Sequence, residues 1–342
     1  MQYTLRLTTQ KQLAPAMMDK WIASFPDQLK EAVEIGNKAA LTPLRKEIRN
    51  IVVAGMGGSG IGGDLVKGMV ATKLSVPLVV IKDYFLPYWV DEHSLLIASS
   101  YSGNTEETIH VLEEAIRRQC KIVCISSGGS VERLAATAGL DYIRIPAGMP
   151  PRACLGYSFV QQLFVLKRYN FIDDGFLVGL NQASRLLIKE QKRIIRQAKS
   201  LARKMNRKLP VLYSTTELEA VALRWRQQIN ENSKMLCWHH VLPEMNHNEL
   251  VGWRTPGKYA VVFLRSETDY SRNQQRINIA RNIITQYTKH IMEVWAKGDS
   301  YVERVLYLIH LGDWLSYYLA ERRSVDPVEV NVIDFLKAEL AG

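Results

Sequence analysis

Residues 50–65 read NIVVAGMGGSGIGGDL, an apolar run that enters a turn built largely from glycine. A strand that ends in such a turn and continues as a helix is a strong constraint on fold, because small residues let backbone N–H groups approach an anion at the positive end of the helix. Gly55, Gly57 and Gly60 satisfy G-x-G-x-x-G, and Asp83 closes the next strand-like run, VPLVVIKD, so a dinucleotide site is one reading. The spacing alone is weak support for it. The glycines predict an anion without saying which.

Strand-like runs recur at 50–55, 76–83, 94–100, 121–127 and 140–146, with helix-like segments between them. That rhythm predicts βαβ units, a parallel sheet covered on both faces, and ligand at the carboxyl ends of the strands. PAGMPPRA (146–153) interrupts it as a linker, followed by helices at about 155–169 and 182–205. The α/β rhythm returns with LPVLYSTTELEAVALRWRQQINENSKM (209–235), then KYAVVFLRS (258–266) and KHIMEVWA (289–296), before a helical end. VLYSTTELEA beside LIASSYSGNTEET reads as a weak internal repeat. A chain of 342 residues is long for one core, so the expectation is an α/β protein of two similar doubly wound, mainly parallel-sheet domains with a helical C-terminal end.

The formal charge of +10 invites a nucleic-acid partner, but much of it lies in KEQKRIIRQAKSLARKMNRK (189–208). Ile, Leu and Ala recur there at helical spacing, which predicts a solvated helix face, so no nucleic acid is expected. No apolar run reaches the roughly 18–20 residues that cross a bilayer. The first residues, MQYTLRLTTQKQLAP, lack the apolar core and cleavage site of a signal peptide, so no membrane partner and a cytoplasmic location are expected. Cys120, Cys124, Cys154 and Cys237 have no C-x-x-C spacing and read as reduced and structural.

SSYSGNTEETIHVLEEA (99–115) places Ser100, Ser102 and Thr105 on a turn between a strand and a helix. Such residues before Glu106 and Glu107 also make a helix cap. Capping needs one hydroxyl, and three within six residues beside a glycine point to a bound phosphate.

Together, GMGGSGIGGDL and SSYSGNTEET resemble the sugar isomerase (SIS) domain, which holds phosphosugars through Ser/Thr-rich turns. PPRACLGYSF, NENSKM, EMNHNELVGW and VDPVEVNVIDFLK resemble its bifunctional phosphoglucose/phosphomannose isomerase branch, in that family's order. The last motif departs from the pattern, with Glu329 where proline is expected. The resemblance implies an N-terminal helical arm over 1–45, a SIS domain with the phosphosugar turns over 46–150, and a SIS-like domain with the catalytic motifs over 151–342.

It also implies interconversion of glucose 6-phosphate or mannose 6-phosphate with fructose 6-phosphate, with no metal and no cofactor. By resemblance Glu231 is the base that moves a proton between C1 and C2 through an enediol, a task suited to a carboxylate. His247 and Lys337 assist ring opening, Arg152 stands near the enediol oxygens, and Gly58, Ser59, Ser100, Ser102 and Thr105 cradle the substrate. Gly57 serves geometry. The implied partners are a phosphorylated hexose and a second copy of the chain, as a homodimer with shared active sites.

Other readings remain. A non-enzymatic sugar-phosphate sensor would use the same domains, but the first 45 or so residues leave little room for a DNA-reading module. CWHHVLPEMNHNE (237–249) gathers Cys237, His239, His240, Glu244, His247 and Glu249, yet lacks H-E-x-x-H, and Pro243 breaks any regular helix. His239 and His240 read as packing residues or as supports behind the site.

Overall fold

The structure, a computed structural model, describes residues 17–340, so the first sixteen residues of the expected N-terminal arm lie outside it. Five strands form the first sheet: β1 (Asn50–Ala54), β2 (Leu78–Ile81), β3 (Ser94–Ser99), β4 (Lys121–Ser126) and β5 (Asp141–Arg144). Their order is β2-β1-β3-β4-β5 and every pairing is parallel. Helices α3 (Gly57–Val70), α4 (Glu106–Arg117) and α5 (Gly129–Ala138) make the crossovers. Every residue of β1 and β3 is buried, which is why those strands read as unbroken apolar runs rather than as alternation.

The second sheet contains β6 (Leu209–Thr215), β7 (Trp238–Leu242), β8 (Tyr259–Arg265) and β9 (Ile291–Trp295), ordered β7-β6-β8-β9 and again parallel. It repeats the first sheet without the fifth strand. In each sheet the first strand pairs with the second on one side and the third on the other, so winding reverses between β1 and β3 and between β6 and β8. Ligands bind α/β sheets at such reversals. The topology also corrects the repeat: β6 corresponds to β1, so the counterpart of the turn at 99–105 is the one after β8, not VLYSTTELEA. Strand β7 is absent from the sequence reading because it is an edge strand, only partly buried, with two histidines at its centre.

Between the sheets lie α2 (Phe25–Lys38), α6 (Leu155–Arg168), α7 (Gly175–Met205) and α11 (Tyr301–Arg323), with α1 (Met18–Ala23) at one end. Helix α8 (Glu219–Ser233) packs on α11 and α3; the short α9 (Glu249–Gly252) and α10 (Ser271–Ile284) complete the second crossovers, and α12 (Asn331–Leu340) ends the described chain. One apolar core joins the two sheets, taking Ile51, Val53, Leu95 and Ile97 from the first and Leu212, Val262 and Leu264 from the second. Val52, Leu96 and Cys124 face a separate core behind the first sheet, and Val211, Tyr213 and Phe263 one behind the second, as strand alternation requires. The basic stretch of α7 buries Ile194, Ala198, Leu201 and Met205 and turns its charged face outward. All four cysteines are free, and burial pushes the Cys124 thiol up to about 12, which keeps it inert.

Asp141, at the start of β5, ties this framework together. Its carboxylate accepts hydrogen bonds from the Thr42 amide at 3.0 Å, Lys121 Nζ at 2.7 Å and the Tyr169 hydroxyl at 3.1 Å. Burial would raise its pKa, but Lys121 and Thr42 outweigh burial and hold it below the usual 3.8. The folded state therefore binds this proton less readily than the unfolded chain, and the stabilisation is present above pH 3.8 and lost as pH falls through the folded value. Asp141→Asn should lower stability by about 1–3 kcal/mol at neutral pH. Urea unfolding at a series of pH values checks this: the gap between wild type and variant should narrow below pH 3.8.

Candidate active site

The glycine turn carries β1 into α3 beside the end of β3. Gly57 has φ +49° with open space where a side chain would stand, so it is there for its backbone, as the sequence reading holds. Gly58 is there for contact: a Cβ on it would lie 2.9 Å from the Pro151 carbonyl oxygen. The absence of a side chain lets the turn close against the 3₁₀ turn Pro151–Ala153.

Ser59, in the first turn of α3, is buried and its Oγ accepts a hydrogen bond from the Tyr101 amide at 3.1 Å, joining the glycine turn to the hydroxyl-rich one. Ser100 Oγ and Thr105 Oγ1 pair at 2.9 Å. Thr105 occupies the N-cap position of α4 yet makes no side-chain capping bond. The hydroxyls are thus not spent on capping, and no side chain caps α3 at Met56 either. Two positive helix ends face the carboxyl ends of β1 and β3, with backbone donors for an anion. Ser102 is exposed at the rim, its Oγ accepting from the Asn104 amide at 3.2 Å.

Arg152 is the best-anchored side chain of the cluster, only 5% exposed. Its Nε donates to Asn232 Oδ1 at 2.7 Å, and its Nη2 donates to the carbonyls of Pro327 at 2.7 Å and Val328 at 2.8 Å. Nη1 lies 3.4 Å from Glu231 Oε2, a long contact that leaves the carboxylate sites of Glu231 largely open. Burial draws the guanidinium's pKa down while Glu231, Asp326 and Glu329 oppose it, and a guanidinium keeps its proton in either case. Behind it, Arg224 donates to the Arg152 carbonyl at 3.0 Å and to Asp313 at 2.8 Å, and Asn232 donates to Ser316 at 2.9 Å. Glu231, on the last turn of α8, keeps 30% of its side chain exposed beside this fixed cation.

Gly58, Ser59, Ser100, Ser102, Thr105, Arg152 and Glu231 therefore lie on turns that touch one another. His247 and Lys337 do not join them through any hydrogen bond or ion pair among the described residues. His247 is exposed at the end of the 3₁₀ turn Glu244–His247, which is anchored by the buried Met245, and Lys337 stands on α12, which buries no residue. The other members of 237–249 are used separately. Cys237 is buried, and Glu249 accepts from the Tyr213 hydroxyl and from Trp238 Nε1. His240 Nδ1 accepts from the Val241 amide at 2.8 Å, and burial, with Arg226, His240 and Lys82 nearby, lowers the pKa of His239 to about 4. Asn232 and Lys234 belong to the site without having been picked out in sequence; their signal is a run of polar residues on the inward end of α8.

The reversal between β6 and β8 follows the same plan but is filled from within. Ser266 Oγ and Thr268 Oγ1 pair at 2.8 Å, as Ser100 and Thr105 do. The buried Asp269 carboxylate accepts from the Ser266 amide and the Thr215 hydroxyl, each at 2.8 Å, taking donors that an external anion would need. The open cradle is that of the first sheet.

A family described as "Bacterial phospho-glucose isomerase C-terminal SIS domain" matches residues 194–340. The chain is 37% identical over 334 residues to the bifunctional phosphoglucose/phosphomannose isomerase of Caldicellulosiruptor bescii, covering 94% of this chain and 98% of that protein. It is 38% identical over 304 residues to the protein of the same name from Aquifex aeolicus, covering 88% and 92% respectively. Among solved structures, the C-terminal domain of glucosamine-fructose-6-phosphate aminotransferase from Francisella tularensis superposes with a TM-score of 0.76 at 14% identity, covering 94% of this chain and all of that one, a likeness of fold.

The two adjacent glycines give a direct test of the turn. Gly58→Ala should cost about 1–3 kcal/mol in thermal unfolding, because its methyl meets backbone that cannot move aside. Gly57→Asn should stay within about 0.5 kcal/mol of wild type, since asparagine tolerates the left-handed region and the space is open.

Proposed function

Because this chain belongs to the bifunctional phosphoglucose/phosphomannose isomerase family, we propose that it interconverts glucose 6-phosphate and mannose 6-phosphate with fructose 6-phosphate. The observation that carries the reading is an accessible carboxylate, Glu231, held beside a buried guanidinium, Arg152, next to an open anion cradle. In this reading Gly58, Ser59, Ser100, Ser102 and Thr105 hold the phosphate, using the positive ends of α3 and α4. Once the sugar ring is open, Glu231 removes the proton from C2 of the aldose and returns it to C1. Arg152 faces the enediolate oxygens, where negative charge develops in the transition state. A rigid, multiply bonded guanidinium suits that task because it needs no reorganisation as the charge forms.

Ring opening falls to His247 and Lys337, as proton donor and acceptor at the ring oxygen and the C1 hydroxyl. In the isolated chain both are exposed, which supports a homodimer in which the turn carrying His247 reaches its partner's site. Helix α12 favours the same arrangement: a ten-residue helix with Val332, Phe335 and Leu336 exposed gains little stability standing alone. The accompanying domain reading gives the phosphate cradle to residues 46–150 and the reacting groups to 151–342, with 1–45 as an arm. A cytoplasmic location fits the free thiols and the phosphorylated substrate.

Glu231→Gln keeps the shape of the base and removes its proton acceptor. Turnover should fall about 10²–10⁴-fold, while equilibrium binding of the sugar phosphate stays near wild type. A variant that turns over at the wild-type rate would remove Glu231 from the reaction. The shared site is tested by co-expressing Glu231→Gln and His247→Ala chains, each nearly inactive alone. If histidines cross, about half the dimers are mixed and each has one intact site, so activity recovers to about a quarter of wild type. If both residues act within one chain, the mixture stays inactive.

A further inference from the structure

Lys234 follows α8 in the left-handed conformation, with φ 53°. Glycine takes that position without steric penalty and is the residue usually found just beyond a helix. Gln119, Asn170, Arg207 and Ser324 take the same conformation just beyond other helices, so what distinguishes Lys234 is where its ammonium goes. The ammonium donates to the Glu231 carbonyl at 2.5 Å and to the Glu329 carbonyl at 2.7 Å, with the side chain 27% exposed. The first acceptor is one of the orphan carbonyls at the end of α8. The second lies in the segment between α11 and α12. Arg152 holds the two preceding carbonyls, Pro327 and Val328, so three consecutive carbonyls of one segment are gripped by two cations.

The other charged groups around Lys234 complete the frame. Arg323 of α11 donates to the Ser233 carbonyl at 2.9 Å and to the Lys234 carbonyl at 3.3 Å. The Glu329 carboxylate is 4.0 Å from the ammonium and accepts from the Asn331 amide at the start of α12. Because Lys234 uses the main-chain carbonyl of Glu329, its grip does not depend on which residue stands there. Glu329, where the last motif departs from its expected pattern, instead adds a cap for α12.

We propose that Lys234 is a positioning residue for the isomerisation, fixing the end of α8 that carries Glu231 against the segment that leads to α12 and Lys337. This rests on the isomerase reading. Its role is to set the distance between the base and the ring-opening helix, without touching substrate.

The test compares Lys234→Gly, Lys234→Met and Lys234→Arg with wild type. Lys234→Gly removes the ammonium but suits the backbone, so its melting temperature should stay at or near the wild-type value. Its kcat should fall about 10–100-fold, as small misplacements of reacting groups do, with KM within about twofold because the phosphate cradle is untouched. Lys234→Arg should recover part of the lost kcat, and propylammonium added to Lys234→Gly should do the same. Should the glycine variant fail to fold, Lys234→Met supports the same comparison. An active wild type with Lys234→Gly and Lys234→Met turning over at its rate would overturn the assignment, as would a loss that neither arginine nor propylammonium restores. A wild-type chain without isomerase activity would instead overturn the isomerase reading, and this assignment with it.

Discussion

The buried guanidinium of Arg152 is the interaction on which the site depends. A charge removed from water must be paired and hydrogen-bonded in place, and Arg152 meets that demand with groups from two elements: Asn232 and Glu231 on α8, and two carbonyls of the segment before α12. Lysine could not replace it, because three directions must be served at once by a planar fork. The consequence is geometric. The 3₁₀ turn after the first sheet, the end of α8 and the approach to α12 cannot shift independently while the cation stays bonded. Gly58 adds the glycine turn to that unit by packing on the Pro151 carbonyl.

Two sheets of one winding order give two reversals, and they differ in what fills them. At the second, the Asp269 carboxylate occupies the Ser266 amide and the Thr215 hydroxyl, a fixed internal anion in place of an external one. The second half instead contributes α8, which brings Asn232 and Glu231 to Arg152 beside the turns of the first. The halves of the repeat meet there, with α3 packed on α8 and both against the common core.

Much of this is legible in the sequence, for physical reasons. Buried parallel strands read as continuous apolar runs, and β1, β3, β4, β6, β8 and β9 all lie within the spans so read. The density of hydroxyls in SSYSGNTEET exceeds what a cap uses, and Thr105 at the N-cap makes no capping bond. Strand β7 escapes because an edge strand needs no full apolar face, and its two histidines look like ligands. PAGMPPRA has the composition of a linker, yet it carries the most deeply anchored charge of the site, since proline-rich turns are as useful for fixing a side chain as for spacing domains. Asn232 and Lys234 act on groups about 80 to 95 residues away in the chain, and no local pattern announces such partners. His247 and Lys337 gain meaning from the family alone, because one chain leaves both in solvent.

In the proposed reaction this cluster moves a proton between C1 and C2 of a hexose 6-phosphate without a metal. Proton magnetic resonance in deuterium oxide, with EDTA present, measures it directly on the wild-type protein. Starting from glucose 6-phosphate or from mannose 6-phosphate, the spectra should converge on one mixture containing fructose 6-phosphate, with deuterium entering at C2 of the aldoses. Neither aldose reacting, or a reaction stopped by EDTA and restored by zinc, would contradict the account.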